Sequence, residues 1–232
     1  MNSELSVKSG LHDVIPTTFG YIGVGLAFGI VSRTSHLSLL AILLMSLVVY
    51  AGSAQFVITS MLLAGSPISA IIFSTFLVNA RMILMSTTIA QYFRRYSSLA
   101  NIGVGSLLTD ETFALGMNKL NYTNHQLNLR WFNTTNIVAY LVWAAASITG
   151  ALIGNLVTDP KKLGLDFALV AMFIGLLYLQ LISDRSKKLL TQLIVIIFVV
   201  VALYISLIFM SANAALLVAT LLGCVFGVVI ER

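Results

Sequence analysis

Apolar residues run along this chain in long blocks separated by short polar clusters, and the length of the blocks sets the architecture. A helix crossing the roughly 30 Å hydrocarbon core of a bilayer needs about 20 predominantly apolar residues. With that window the sequence predicts about seven spans, near 17–33, 38–63, 68–93, 131–157, 166–182, 189–210 and 213–231. The connection at Ser211–Asn213 is so short that the last two spans are expected to form an antiparallel hairpin. Runs of about ten residues alternating polar and apolar, the mark of a membrane β-barrel, do not occur. The expected fold class is an all-α polytopic membrane protein, a single membrane domain over residues 1–232.

The blocks also suggest a 3+1+3 order. Residues 1–93 hold three spans, 94–130 form a polar connection with a short helix, 131–157 is a linking span, and 158–232 hold three more. Each half opens on a short Gly-bearing leader, HDVIPTTFGYIGVG and GLDFALVAMFIGLL. The halves are expected to be inverted repeats, and paired short or broken first helices are the usual pointer to a transporter's site.

Loops facing the cytoplasm carry the excess of Lys and Arg. Seven spans put Arg33, Arg94, Arg95, Lys119, Arg130, Arg185, Lys187, Lys188 and Arg232 on one side, and Lys8, Lys161 and Lys162 on the other. The expectation is a cytoplasmic C-terminus, a cytoplasmic 94–130 and an N-terminus outside, the last reversed if an eighth segment lies in 97–116. MNSELSVKSGLHDVIP at 1–16 is too polar for a secretory signal, so the first apolar segment is expected to be retained.

Composition narrows the function. With 59% hydrophobic and 9% charged residues the chain cannot cover its surface as a water-soluble globule. A net charge of +5 would suit nucleic acid, but the basic residues are scattered in pairs between apolar blocks, so lipid is the expected partner and nucleic acid is not. The single Cys, Cys224, excludes a disulfide framework. His12, His36 and His125 lie on different connections, and no GxxxxGK[ST] occurs, so neither an enzyme, a metal site, a cofactor nor a nucleotide-hydrolysing machine is expected.

The candidate chemistry lies in the few polar residues inside the apolar blocks. Arg81 sits mid-span, where an Arg costs about 2.5–3.5 kcal/mol on insertion scales and needs a partner, a cavity or broken backbone. Asn79 lies some 200° away on the same helix, so that span is polar on both sides. Gln55 follows four small residues in AGSAQ and serves either interhelical hydrogen bonding or substrate contact. Gly20, Gly23, Gly25 and Gly29 serve either close helix packing or a break that exposes backbone, with Gly23 and Gly25 the candidates to meet substrate. In LLTDET, Thr109 reads as an N-cap with Asp110 and Glu111 in the first turn of a helix running to Lys119. Those two acids, with Asp13 and Asp166 before the short leaders, are candidates for ion coupling or for binding an ammonium group. Trp131 and Trp143 read as interfacial anchors as readily as ligands.

Several fragments together resemble one family: PTTFGYIGVGLAFGI at 16–30, LLMSLVVYAGSAQF at 43–56, LVNARMILMSTTIA at 77–90, LLTDETFAL at 107–115 and GLDFALVAMFIGLL at 164–177. In that order they resemble the AzlC family, the larger membrane subunits of branched-chain amino acid exporters. The resemblance implies export of valine, leucine, isoleucine or analogues across a bacterial inner membrane. It implies a small AzlD-type membrane subunit as partner, and a proton or other ion gradient as the driving force. NAR at 79–81 matches a family motif, which supports Arg81 as a carboxylate ligand. One departure is that the proline common in the family near Val170 is missing. An ATP-driven importer's permease subunit and a non-transporting membrane scaffold are the competing readings.

Overall fold

The computed structural model describes residues 3–156, 188–210 and 212–230, with single positions 170, 174, 177, 178 and 181 between them. Asp166 and most of the span expected at 166–182 therefore lie outside the described residues. Every regular element among the described residues is helical, which establishes the all-α polytopic class. The chain divides into two compact units, Met1–Leu176 and Leu177–Arg232.

The first unit is built on two parallel helices, α2 (Ile15–Thr34) and α9 (Leu129–Gly154), packed along their length. Small residues permit the approach. A methyl group at Gly25 would lie 2.8 Å from Ala146 Cβ, and one at Gly29 would collide with the backbone at Ser147 and Ala151. At the far end Arg33 Nε donates to Asn155 Oδ1 at 2.7 Å. Thus α2 runs unbroken through its four glycines, and the interruption expected in the first span falls elsewhere.

It falls in the next two apolar blocks. After α1 (Val7–Asp13) and α2, helix α3 (Leu39–Leu44) widens into a π turn at Met45–Val49. The chain then turns at Tyr50, whose φ of 41° is left-handed, and α4 (Gly52–Leu63) follows. The contacts show which way each arm runs. Arg33 Nη1 donates to Leu37 O at the far end of α2, Ile42 packs beside Phe28, and Tyr50 meets Tyr140 deep in the unit. Helix α4 then retraces the path, with Gly52 against Trp143, Phe56 against Phe28, and Thr59 hydrogen-bonding distance (3.2 Å) from Ser32 near the far end. Residues 38–63, read from hydropathy as one crossing, are instead a hairpin with arms of 11 and 12 residues. At 1.5 Å per residue each arm reaches about half the core thickness.

Helices α5 (Ile68–Asn79) and α6 (Arg81–Ala90), prolonged by a 3-10 turn at Gln91–Phe93, make a full crossing kinked at Ala80. The kink is a 3-10 step, in which the Ala80 and Ile83 amides donate to the carbonyls three residues back, Leu77 and Ala80. Phe93 ends beside Leu5, Leu127 and Trp131, at the end where α2 begins. From there α7 (Ser98–Ser106) and α8 (Asp110–Leu120) form a second half-length hairpin. Asn136 Nδ2 donates to Val104 O on the way in, and Lys119 returns to Asp13 on the way out. A span followed by a half-length hairpin thus occurs twice with opposite sense, and the two tips, Tyr50–Gly52 and Leu107–Thr109, approach each other.

The second hairpin corrects the expected sidedness. Glu4, Ser9 and Asp13 all reach Lys119 Nζ, at 3.0, 3.1 and 2.8 Å, and Asn128 Nδ2 donates to Leu5 O at 2.9 Å. The N-terminus therefore shares an end of the unit with Lys119 and the 121–128 turn, because only α2 and α5–α6 run end to end before it. Trp131 and Trp143 are core residues, buried within the unit, not interfacial anchors. In the second unit, α10 (Leu189–Phe209) and α11 (Ala212–Ile230) form the expected antiparallel hairpin, with Phe198 stacked on Phe226 at 3.9 Å.

Candidate functional site

Where the two tips approach the kink of α5–α6, a small cavity opens in the first unit. Residues 50–53 from the first tip, Thr109, Asp110 and Glu111 from the second, and Met82 past the kink line it, and Tyr21 and Trp143 close it from the two long helices. Its volume is about 20 Å³, room for about one water. Non-helical backbone at membrane depth persists only where it is buried in protein or lines a cavity, and both tips meet that condition.

Two helices begin at this point. The first turn of a helix has amides without partners four residues back and carries the positive end of the dipole. Helices α4 and α8 start at Gly52 and Asp110, so two such ends meet at one cavity, beside the kink at which α5 runs on into α6. Local sequence explains the sharper of them. Thr109 accepts from the Thr112 amide, and the Thr112 hydroxyl accepts from the Thr109 amide, a reciprocal cap on α8.

Arg81 lies beside the cavity and holds two of its lining residues. Its Nη2 lies 2.8 Å from Asp110 Oδ2 and donates to Ser53 Oγ at 3.0 Å, so a single nitrogen joins both tips. Tyr21 OH donates to Glu111 Oε2 at 2.7 Å and sits equally close to Thr109 Oγ1. Tyr50 OH is buried and has no hydrogen-bond partner among the described residues. The cavity thus combines two carboxyls and an aromatic wall of Tyr21, Tyr50 and Trp143, in which Tyr21 and Trp143 meet edge to face at 5.2 Å, with the Arg81 guanidinium paired to Asp110 beside it.

The other sequence candidates separate from this group. Gln55 is fully buried and spends its amide on packing, its Nε2 donating to Ser46 Oγ and its Oε1 accepting from Trp143 Nε1 at 2.9 Å. It braces the wall from behind. Gly25 packs on α9, and Gly23 faces open space. Asn79 closes α5 next to the kink, and its Oδ1 is buried without a partner among the described residues. Asp13 is in a different place, at the end of the unit with Lys119, Trp131 Nε1 and Ser9. Burial alone would raise the Asp13 carboxyl, but hydrogen bonds from Lys119, Trp131 and Ser9 outweigh it and hold the group below its ordinary value.

Sequence reading singled out Arg81, Asp110 and Glu111 and missed Tyr21, Tyr50, Ser53 and Met82. Tyr and Met inside apolar blocks look the same whether they pack or line a cavity. The small-residue run AGS before Gln55 was the available signal for the first tip.

Comparison with known proteins agrees with this architecture. The model of the AzlC protein family matches residues 16–157, most of the first unit. A protein of Archaeoglobus fulgidus described as a membrane protein is 31% identical over 180 residues, 76% of this chain and 77% of the relative. The inner membrane protein YgaZ of Escherichia coli is 27% identical over 172 residues, 72% and 70% of the two chains. The branched-chain amino acid transport protein AzlC of Bacillus subtilis is 27% identical over 184 residues, 77% and 69%. No solved structure matches. The chain is a polytopic membrane protein, and it belongs to the AzlC family.

Proposed function

We propose that this chain is the large subunit of a secondary exporter of branched-chain amino acids, acting with a small AzlD-type membrane subunit and driven by a proton or other ion gradient. The observation that carries the reading is Arg81, a guanidinium at a helix kink where the N-termini of α4 and α8 meet beside aromatic walls. Planar guanidinium and oriented amides suit a carboxylate, and the apolar wall of Tyr21, Met82 and Trp143 suits a branched side chain. Asp110 and Glu111 supply the acids that an ammonium group or a transported proton requires. A cavity of about 20 Å³ holds a water and not leucine, so transport requires a tip to withdraw. The two half-length hairpins, entered from opposite ends, are the elements suited to alternate access to the site.

The experiment is flux of labelled leucine or valine in vesicles holding this chain with its small subunit. Outward transport that follows an imposed ion gradient and is absent without the chain is the expected result. Uptake dependent on ATP and a separate ATPase would overturn it.

A further inference from the structure

We propose that Asp110 acts as an internal stand-in for the substrate carboxylate, and that an amino acid inserting between Asp110 and Arg81 is what frees the α7–α8 tip. This rests on the amino acid reading above. Arg81 Nη2 holds Asp110 Oδ2 at 2.8 Å and Ser53 Oγ at 3.0 Å, so one nitrogen clasps the tips of hairpins that come from opposite ends of the unit. The cavity beside this clasp admits about one water, and a carboxylate that takes the bonds made by Arg81 Nη2 replaces a group already there.

Chemistry decides which group is replaced. Asp110 offers the same oxygens and charge as the incoming carboxylate, whereas Ser53 offers a neutral hydroxyl. Exchange at Asp110 leaves both Arg81 and Asp110 paired. Before entry there is one pair, Arg81 with Asp110. After entry the substrate carboxylate faces Arg81 and the substrate ammonium faces the released Asp110 carboxylate. Neither Arg81 nor Asp110 is left without an opposite charge at either stage, which is the condition for an ion pair inside protein to be exchanged without a large penalty. The substrate then lies between the two side chains and separates them by its own width. Asp110 is the first residue of α8, directly after the Thr109 cap, so its displacement carries the tip of that hairpin with it. The Ser53 contact stays on Arg81 and the α3–α4 tip stays closed. Binding therefore opens one hairpin and leaves the other shut, which makes Asp110 a positioning residue of the gate.

The test uses the full chain with Cys224→Ser, its small subunit, and Leu108→Cys as a reporter on the α7–α8 tip, where Leu108 is buried. Labelling by N-ethylmaleimide is read with and without L-leucine. Asp110→Asn is expected to raise substrate-free labelling several-fold, and Thr149→Ala, exposed on α9 and outside the cavity lining, to leave it unchanged. L-leucine is expected to raise labelling of the parent, while leucinol, which keeps the ammonium but lacks the carboxylate, does not. Equal labelling of the parent and Asp110→Asn overturns the latch, as does an equal rise in Thr149→Ala, which would mean general loosening. A leucinol response matching leucine overturns the exchange of carboxylates. A parent that ignores leucine, alongside raised labelling in Asp110→Asn, supports the latch and refutes the amino acid reading.

Discussion

Arg81 combines a demand of the bilayer with an opportunity for chemistry. A guanidinium at mid-span needs compensation, and it receives it from Asp110 and Ser53 at the point where the helix itself kinks. If it receives a substrate carboxylate, Arg81→Lys keeps the charge but loses the planar fork, and Arg81→Gln loses both. Both variants are expected to assemble with the small subunit, and leucine flux from Arg81→Gln is expected to fall about ten- to a hundredfold, the value of a charged hydrogen bond or two. Wild-type flux in Arg81→Gln would refute the role. The glycines of α2 make a second contrast at the same scale. Gly29→Ala pushes a methyl into the α9 backbone and is expected to cost about 1–3 kcal/mol of stability, seen as a lower melting temperature in detergent. Gly20 has nothing within 4 Å of the added methyl, and Gly20→Ala is expected to be neutral or to stabilise by about 0.4–1 kcal/mol. These two outcomes separate packing from helix propensity as the reason for a glycine.

Hydropathy read the elements well where a block of apolar residues is a straight helix. Helices α2, α9 and α10 lie within a few residues of the expected spans. It failed at 38–63 because a half-length hairpin and one long crossing have the same apolar content, and no Gly or Pro stands at position 50 to mark the turn. The left-handed residue there is Tyr50, held by its ring against Tyr140, while Tyr140 OH donates to the Leu47 carbonyl inside the π turn. Tertiary contact fixes this turn where local sequence does not. By contrast α8 was legible, since Thr109 and the two acids after it state a helix start in chemical terms. The element fastened most visibly by charge is the N-terminal helix α1, through Asp13 and Lys119. Because the folded Asp13 carboxyl lies below its unfolded value of about 3.9, its stabilising effect is complete above that pH and is lost as pH falls through the folded value. Melting temperature of the parent is therefore expected to drop toward acid more steeply than that of Asp13→Asn, with the two curves converging at low pH. Parallel curves over the whole range would show that Asp13 contributes nothing by charge.

At the scale of the molecule, the two hairpins change how the chain is oriented. With 38–63 folded back, α2 and α5–α6 are the crossings that precede the second hairpin, and that hairpin returns to the end it left. The end of the first unit that holds the N-terminus then also carries Lys8, Arg94, Arg95, Lys119 and Arg130, while the opposite end carries Arg33. The excess of positive charge faces the cytoplasm in membrane proteins, so the N-terminus and the 121–128 turn are expected inside, and the turn between α4 and α5 outside. Single cysteines at Lys8, Ala64 and Tyr122, all exposed, in a Cys224→Ser background test both steps. An impermeant thiol reagent applied to intact cells is expected to label Ala64→Cys and to spare Lys8→Cys and Tyr122→Cys until the cells are opened. If Lys8→Cys and Tyr122→Cys both react from outside while Ala64→Cys does not, the hairpins stand and the orientation is reversed. If Lys8→Cys and Tyr122→Cys fall on different sides, residues 38–63 cross the membrane after all. The carboxylate clasp would then have to be built from a different pair of elements.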